Sequence, residues 1–207
     1  SGMEAESAIT HGKTTQAWMS MVAEYVSPER RPELVIAYEP GEQVLEAFKE
    51  PGNEVIMKPI GRDALVFLAN QSNPVHSLTG SQIADIYSGK ITNWKVVGGK
   101  DRKIQAFQRP AESGSQNLMD KLVMKGRKMA EAPVDLIISD MEGLLEEVSA
   151  YDGTGDALGY SVYYYARNMY RKPELAFMAV DGVMPSSETI RSKSYPFVND
   201  FYAGIRA

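Results

Sequence analysis

The chain has 207 residues, of which 43% are hydrophobic and 24% are charged, and these proportions are typical of a globular protein rather than a disordered one. Its formal net charge of -5 argues against a nucleic-acid partner that is held by a general basic surface. The sequence contains no cysteine, which excludes disulfides, thiolate zinc sites and cysteine nucleophiles.

Short runs typical of β-strands alternate along the chain with stretches whose apolar residues have helical spacing. The predicted strands are 34–38, 55–57, 64–69, 104–107, 134–138 and 175–180. The predicted helices are 14–25, 42–49, 81–87, 116–124 and 141–151. No apolar run approaches the roughly 20 residues of a membrane-spanning helix. The alternation predicts an α/β architecture with mainly parallel sheets.

Arg109 and the stretch Ser113-Gly114-Ser115 directly precede the predicted helix that begins near Gln116. Free N–H groups and the helix dipole favour an anion at such a helix start. Arg109 would add a forked, permanently charged donor, and a glycine at 114 would let the backbone approach a ligand closely. Taken alone, the same residues are more typical of a serine helix cap beside a surface cation, since Ser-Gly-Ser before a helix is common.

Several linked motifs carry a family resemblance. They are IGRDALVFLAN at 60–70, NPV at 73–75, IYSGKITNW at 86–94, VGG at 97–99, QRPAESGSQ at 108–116, LGYSVYYY at 158–165, DGVMPS at 181–186 and YPF at 195–197. In order and spacing they resemble the phosphate-binding proteins of ABC importers, a branch of the periplasmic-type solute-binding proteins. The resemblance covers residues 34–205.

This resemblance implies a two-lobed α/β fold, with a mixed, mainly parallel sheet in each lobe and two crossovers between the lobes. The stretches 60–70 and 156–161 are where we expect the chain to cross. One lobe would then be discontinuous, formed by residues 1–64 and 160–207. Residues 65–159 would form the continuous second lobe.

The resemblance also implies a ligand site. Arg109, Ser113, Gly114 and Ser115 match the arginine and the anion-binding loop of the family. Thr14 and Thr15 would offer hydroxyl and N–H groups from the other lobe, although helix capping is an equally good reading of them. Glu39 falls where many relatives have an aspartate that accepts a proton from phosphate, and its alternative role is that of a solvated surface residue.

The function implied by the resemblance is an extracytoplasmic solute-binding protein that delivers phosphate or a similar oxyanion to an ABC importer. We expect a monomer without enzymatic activity, cofactor, metal or nucleic-acid partner. We also expect that the export signal and the family's first strand, loop and helix are absent from this sequence. The alternative is a sensor or interaction module of the same fold that has lost or weakened anion binding.

Overall fold

The computed structural model describes residues 12–24, 26–27, 31–150 and 156–207. The helices are α1 (Thr14–Met19), α2 (Glu42–Ala47), α3 (Gly80–Tyr87), α4 (Gly114–Leu118), α5 (Met141–Ala150) and α6 (Ser187–Arg191). The strands are β1 (Val35–Tyr38), β2 (Val55–Asn70), β3 (Ser77–Leu78), β4 (Gln105–Ala106), β5 (Ala157–Val162), β6 (Leu175–Phe177), β7 (Ala179–Val180) and β8 (Val198–Arg206). Among these described residues, no helix combines the length and the apolar character needed to cross a membrane.

The chain divides into two compact units. The first unit contains Ser1–Ile60 and Phe201–Ala207, and the second contains Gly61–Asp200. The first division falls inside β2, within the stretch 60–70 where a crossing was predicted. The second falls inside β8 and not near residue 160, because β5 pairs with both β2 and β4 in the second unit. The lobe limits expected from the family, 1–64 with 160–207 and 65–159, remain a prediction.

The core of the first unit forms around Trp18, which is fully buried. Its ring meets Phe48 edge-to-face at 6.2 Å between centroids, and its indole N–H donates to the Tyr38 carbonyl at 2.6 Å. Helix α1 is shorter than the predicted 14–25, because the Ala23 N–H donates to the Asn53 side chain at 2.8 Å instead of to a helix carbonyl. Met21 and Val22, which follow α1, are nevertheless buried in this core.

The second unit contains mixed strand pairings, as predicted. Strand β2 pairs antiparallel with β5 and β6, whereas β4 pairs parallel with β5 and β3 pairs parallel with β7. The alternation of strands and helices predicted mainly parallel sheets, but the longest pairing in this unit is antiparallel. The reason is that β5 runs along β2 in the opposite direction. Strand β5 is buried along its whole length. The core of the second unit contains an aromatic cluster in which the Phe67 ring contacts the rings of Tyr87, Tyr160 and Phe197.

Some predicted strands need correction. The predicted strand 134–138 is wrong, since Val134–Leu136 is a 3₁₀ turn in which the Leu136 N–H donates to the Pro133 carbonyl at 2.9 Å. This local bond uses a donor that a strand ladder would need. The predicted strands 55–57 and 64–69 are one continuous strand, β2. The predicted strand 175–180 is interrupted and forms β6 and β7, and β8 was not predicted.

Candidate functional site

The candidate site lies in the second unit, at the edge where parallel segments end. Strand β4 runs parallel to β5, and the chain after β4 makes a parallel bridge between Gln108 and Ile137. The Gln108 N–H donates to the Leu136 carbonyl at 2.8 Å, and the Ile138 N–H donates to the Gln108 carbonyl at 3.0 Å. Arg109 therefore leaves the sheet at its carboxyl edge, where α/β proteins place ligand sites.

Arg109 is a buried cation, with 9% of its surface exposed. Its Nε and Nη1 atoms are buried and have no hydrogen-bond partner among the described residues. Burial lowers the pKa of Arg109, while nearby Tyr160 and Asp140 act in the opposite direction. An unpaired buried charge is costly, and an anion at this guanidinium would offset that cost.

The start of α4 lies just beyond Arg109. Ser113 is its N-cap, and the Ser113 hydroxyl accepts from the Gln116 N–H at 3.2 Å. The Asn117 N–H donates to the Ser113 carbonyl at 3.0 Å, so the N–H groups of Gly114 and Ser115 precede the first donor within the helix. The Ser115 hydroxyl is buried and has no partner in the described part of the chain. The helix continues as a π-helical turn, Met119–Met124.

The hydroxyl of Tyr160 fixes the backbone of this site. It accepts from the Arg109 N–H at 2.9 Å and donates to the Gln116 side-chain carbonyl. The Gln116 amide in turn donates to Asp120 at 3.0 Å. Tyr160 is fully buried, and its burial raises the pKa of the phenol. It thereby links β5 to both the arginine and the first turn of α4.

We expect Tyr160→Phe to destabilise the protein by about 1–3 kcal/mol, because the Arg109 N–H and the Gln116 carbonyl lose their shared partner inside the core. Urea unfolding followed by circular dichroism measures this change. Tyr163→Phe is a suitable control, since Tyr163 is only partly buried and should change the stability by less than about 0.5 kcal/mol. Equal stability of the Tyr160→Phe variant and the parent protein would contradict the supporting role.

The sequence-predicted residues fall into two groups. Arg109, Ser113, Gly114 and Ser115 are together in the second unit, whereas Thr14, Thr15 and Glu39 belong to the first unit. Thr14 and Thr15 open α1, but its N-cap is Lys13, so the capping reading of the threonines is wrong. Glu39 follows β1 and is partly buried. The ligand-binding roles of all seven residues remain predictions.

Sequence reasoning missed Asp140, whose charge acts on Arg109, and the buried Ser161. Asp140 directly precedes α5, and its carboxylate accepts from the Gly143 N–H at 2.6 Å. Ser161 lies on β5, and its hydroxyl is buried without a partner among the described residues. The parallel bridge between 108 and 137 was the missing information, because nothing in the local sequence signals it. Within the described ranges, no cluster of three or more histidine or acidic side chains could hold a metal ion.

Known proteins are similar in sequence to this chain. The sequence model of a protein family, the PBP superfamily domain, matches residues 34–206. The chain belongs to the PBP superfamily. It is 32% identical over 137 residues to the phosphate-binding protein PstS of Borreliella burgdorferi, covering 64% of this chain and 48% of that protein. It is 30% identical over 136 residues to PstS of Bacillus subtilis, covering 64% and 42%.

Solved structures agree with the family. This PBP superfamily chain superposes with a TM-score of 0.74 on a phosphate ABC transporter substrate-binding protein from Clostridium perfringens that contains bound phosphate, at 27% identity, covering 94% of this chain and 72% of that one. An ABC-type phosphate transport receptor from Vibrio cholerae gives a TM-score of 0.70 at 24% identity, covering 93% and 72%. The predicted α/β fold is confirmed. The chain spans about half the length of the curated relatives that it matches.

Proposed function

We propose that this protein binds phosphate or a similar oxyanion at Arg109 and the start of α4. The buried guanidinium of Arg109, whose Nε and Nη1 have no partner among the described residues, is the observation that carries the proposal. The neighbouring Ser115 hydroxyl has the same property. A tetrahedral oxyanion needs donors that converge from several directions, and this arrangement supplies a forked cation, a hydroxyl and helix N–H groups.

In this proposal the protein is a solute-binding component that works outside the cytoplasm and presents its ligand to an ABC importer. The names of its relatives support this role, since they are phosphate-binding proteins and phosphate transport proteins. The chemistry is binding rather than catalysis, because the site offers an anion cradle without a paired base and nucleophile. The ligand-binding roles of Thr14, Thr15 and Glu39 are likewise part of the proposal.

Calorimetric titration with phosphate and with sulfate tests the proposal. We expect saturable binding of one phosphate per chain, and weaker binding of sulfate if a carboxylate accepts a proton from the ligand. Chloride at the same ionic strength is the control for general charge screening. If neither oxyanion binds, the proposed function is overturned in favour of the alternative, a sensor or interaction module.

A further inference from the structure

The second unit contains a small cavity beside α5 and β2. Its volume is about 100 Å³. It is lined by Leu68 of β2, Leu145 of α5 and Ala166 of the π-helical turn Tyr165–Met169. These three residues are almost completely buried, with exposed fractions of 3%, 0% and 5% respectively. They give the cavity an apolar floor.

The rim of the cavity is polar. Tyr170, Arg171 and Lys172 also line the cavity. Arg171 is exposed, whereas Tyr170 and Lys172 are partly buried. None of the described residues that line the cavity is acidic. An apolar floor beneath a cationic rim is complementary to a ligand that carries both an apolar group and a negative charge.

Hydrogen bonds hold this rim in place. The Tyr170 hydroxyl donates to a carboxylate oxygen of Glu146 at 2.7 Å, and the Lys172 Nζ donates to the same oxygen at 3.2 Å. The Lys172 Nζ also lies 4.9 Å from the centroid of the Tyr170 ring, which is a cation–π distance. The Tyr170 N–H donates to the Tyr165 carbonyl at 2.8 Å. Because these contacts tie the rim to α5 and to the π-helical turn, a ligand would have little of the rim to order.

Charge and size narrow the class of ligand. The ion pair with Glu146 offsets the charge of Lys172, so Arg171 is the cation that the rim offers to a ligand. A guanidinium presents two parallel N–H donors that match the two oxygens of a carboxylate. Apolar cavities of about 150 Å³ admit a benzene ring, so a cavity of about 100 Å³ suits a short alkyl chain.

We infer that this cavity is a second ligand site, which takes a short-chain aliphatic carboxylate. The alkyl end would lie against Leu68, Leu145 and Ala166, and the carboxylate would bind Arg171. Each alkyl carbon that enters the floor leaves water, so the affinity should rise with chain length until the cavity is filled. The inference does not depend on phosphate binding, because it uses neither Arg109 nor the start of α4.

Titration of the full chain with sodium butyrate, followed by NMR of leucine methyl groups, tests the site. We expect saturable shifts of the Leu68 and Leu145 methyl signals. Acetate has two fewer methylene groups and should bind about tenfold more weakly. Butylamine has the alkyl chain of butyrate but the opposite charge, so it should leave these signals unchanged because Arg171 repels it.

Arg171→Gln should raise the butyrate Kd by about tenfold, because a hydrogen bond to a charged group is lost. Arg191→Gln is the matched control, since Arg191 is an exposed arginine of α6 in the same unit and is not among the described residues that line the cavity. Ala166→Leu should fill the cavity and abolish the shifts, and circular dichroism establishes that this variant is folded. If it does not fold, Arg171→Gln decides the question together with the comparison of chain lengths.

Three outcomes would overturn the inference. The first is a parent protein whose Leu68 and Leu145 signals do not respond to butyrate. The second is an equal response to butyrate, acetate and inorganic phosphate, which would indicate a general attraction of anions. The third is a butyrate Kd that is the same in Arg171→Gln and Arg191→Gln.

Discussion

Replacing Arg109 with methionine should weaken phosphate binding by roughly 2–5 kcal/mol, the loss expected when a buried charge-assisted pair is deprived of one partner. This corresponds to an increase in Kd of roughly thirtyfold to several thousandfold. Methionine has a similar length and leaves little cavity, so the loss reports on charge and hydrogen bonding. Arg109→Lys should restore little of the affinity, because a point charge does not reproduce the guanidinium fork. Calorimetric titration with phosphate measures all three proteins.

The same variant should behave differently in the absence of ligand. Because the Nε and Nη1 atoms of Arg109 are buried without partners among the described residues, Arg109→Met removes a desolvation penalty and should leave the melting temperature unchanged or higher. Arg167→Met is a control for a general loss of positive charge, since Arg167 is exposed in the same unit. Phosphate affinity that is equal in the Arg109→Met and parent proteins would remove Arg109 from the site.

Gly204→Val should destabilise the first unit by about 3 kcal/mol, because overpacking of a filled core is costly. A β-carbon at Gly204 would lie 2.3 Å from one atom of the Trp18 ring and 2.8 Å from another. The ring has no room to withdraw, since Trp18 is fully buried and its indole N–H is held by the Tyr38 carbonyl. Thermal unfolding followed by near-ultraviolet circular dichroism reports on the buried tryptophans, Trp18 and Trp94.

Gly41→Ser provides the matched control in the same unit. Gly41 is the N-cap of α2 with a φ of −68°, and a β-carbon there would meet nothing within 4 Å. Because serine is a preferred N-cap residue, this variant should melt within the range expected of a neutral substitution, about 0.5 kcal/mol. A Gly204→Val protein that melts together with Gly41→Ser would show that the contact with Trp18 is not tightly packed.

The start of α4 is a feature that the sequence alone predicts. A serine helix cap was one reading of Ser113-Gly114-Ser115, and Ser113 is the N-cap in the structure, because capping depends on residues within one turn of each other. The strand predicted at 134–138 shows the limit. Its apolar residues suit a strand, but Pro133 opens a 3₁₀ turn, and the segment joins the sheet through the bridge from Ile137 to Gln108.

By itself, the sequence determined the local chemistry of this protein: the absence of thiols, the alternation of strands and helices, and the placing of Arg109 four residues before a serine helix cap. Only the tertiary structure decided that Arg109 is buried and that Tyr160 holds its backbone N–H. The desolvation of Arg109 depends on segments that are far apart in sequence, here Gln108, Ile137 and β5. Residue spacing along the chain does not predict that these segments come into contact. The cost of burying a charge is set by those neighbours, so what makes Arg109 a candidate ligand-binding residue arises only when the chain folds.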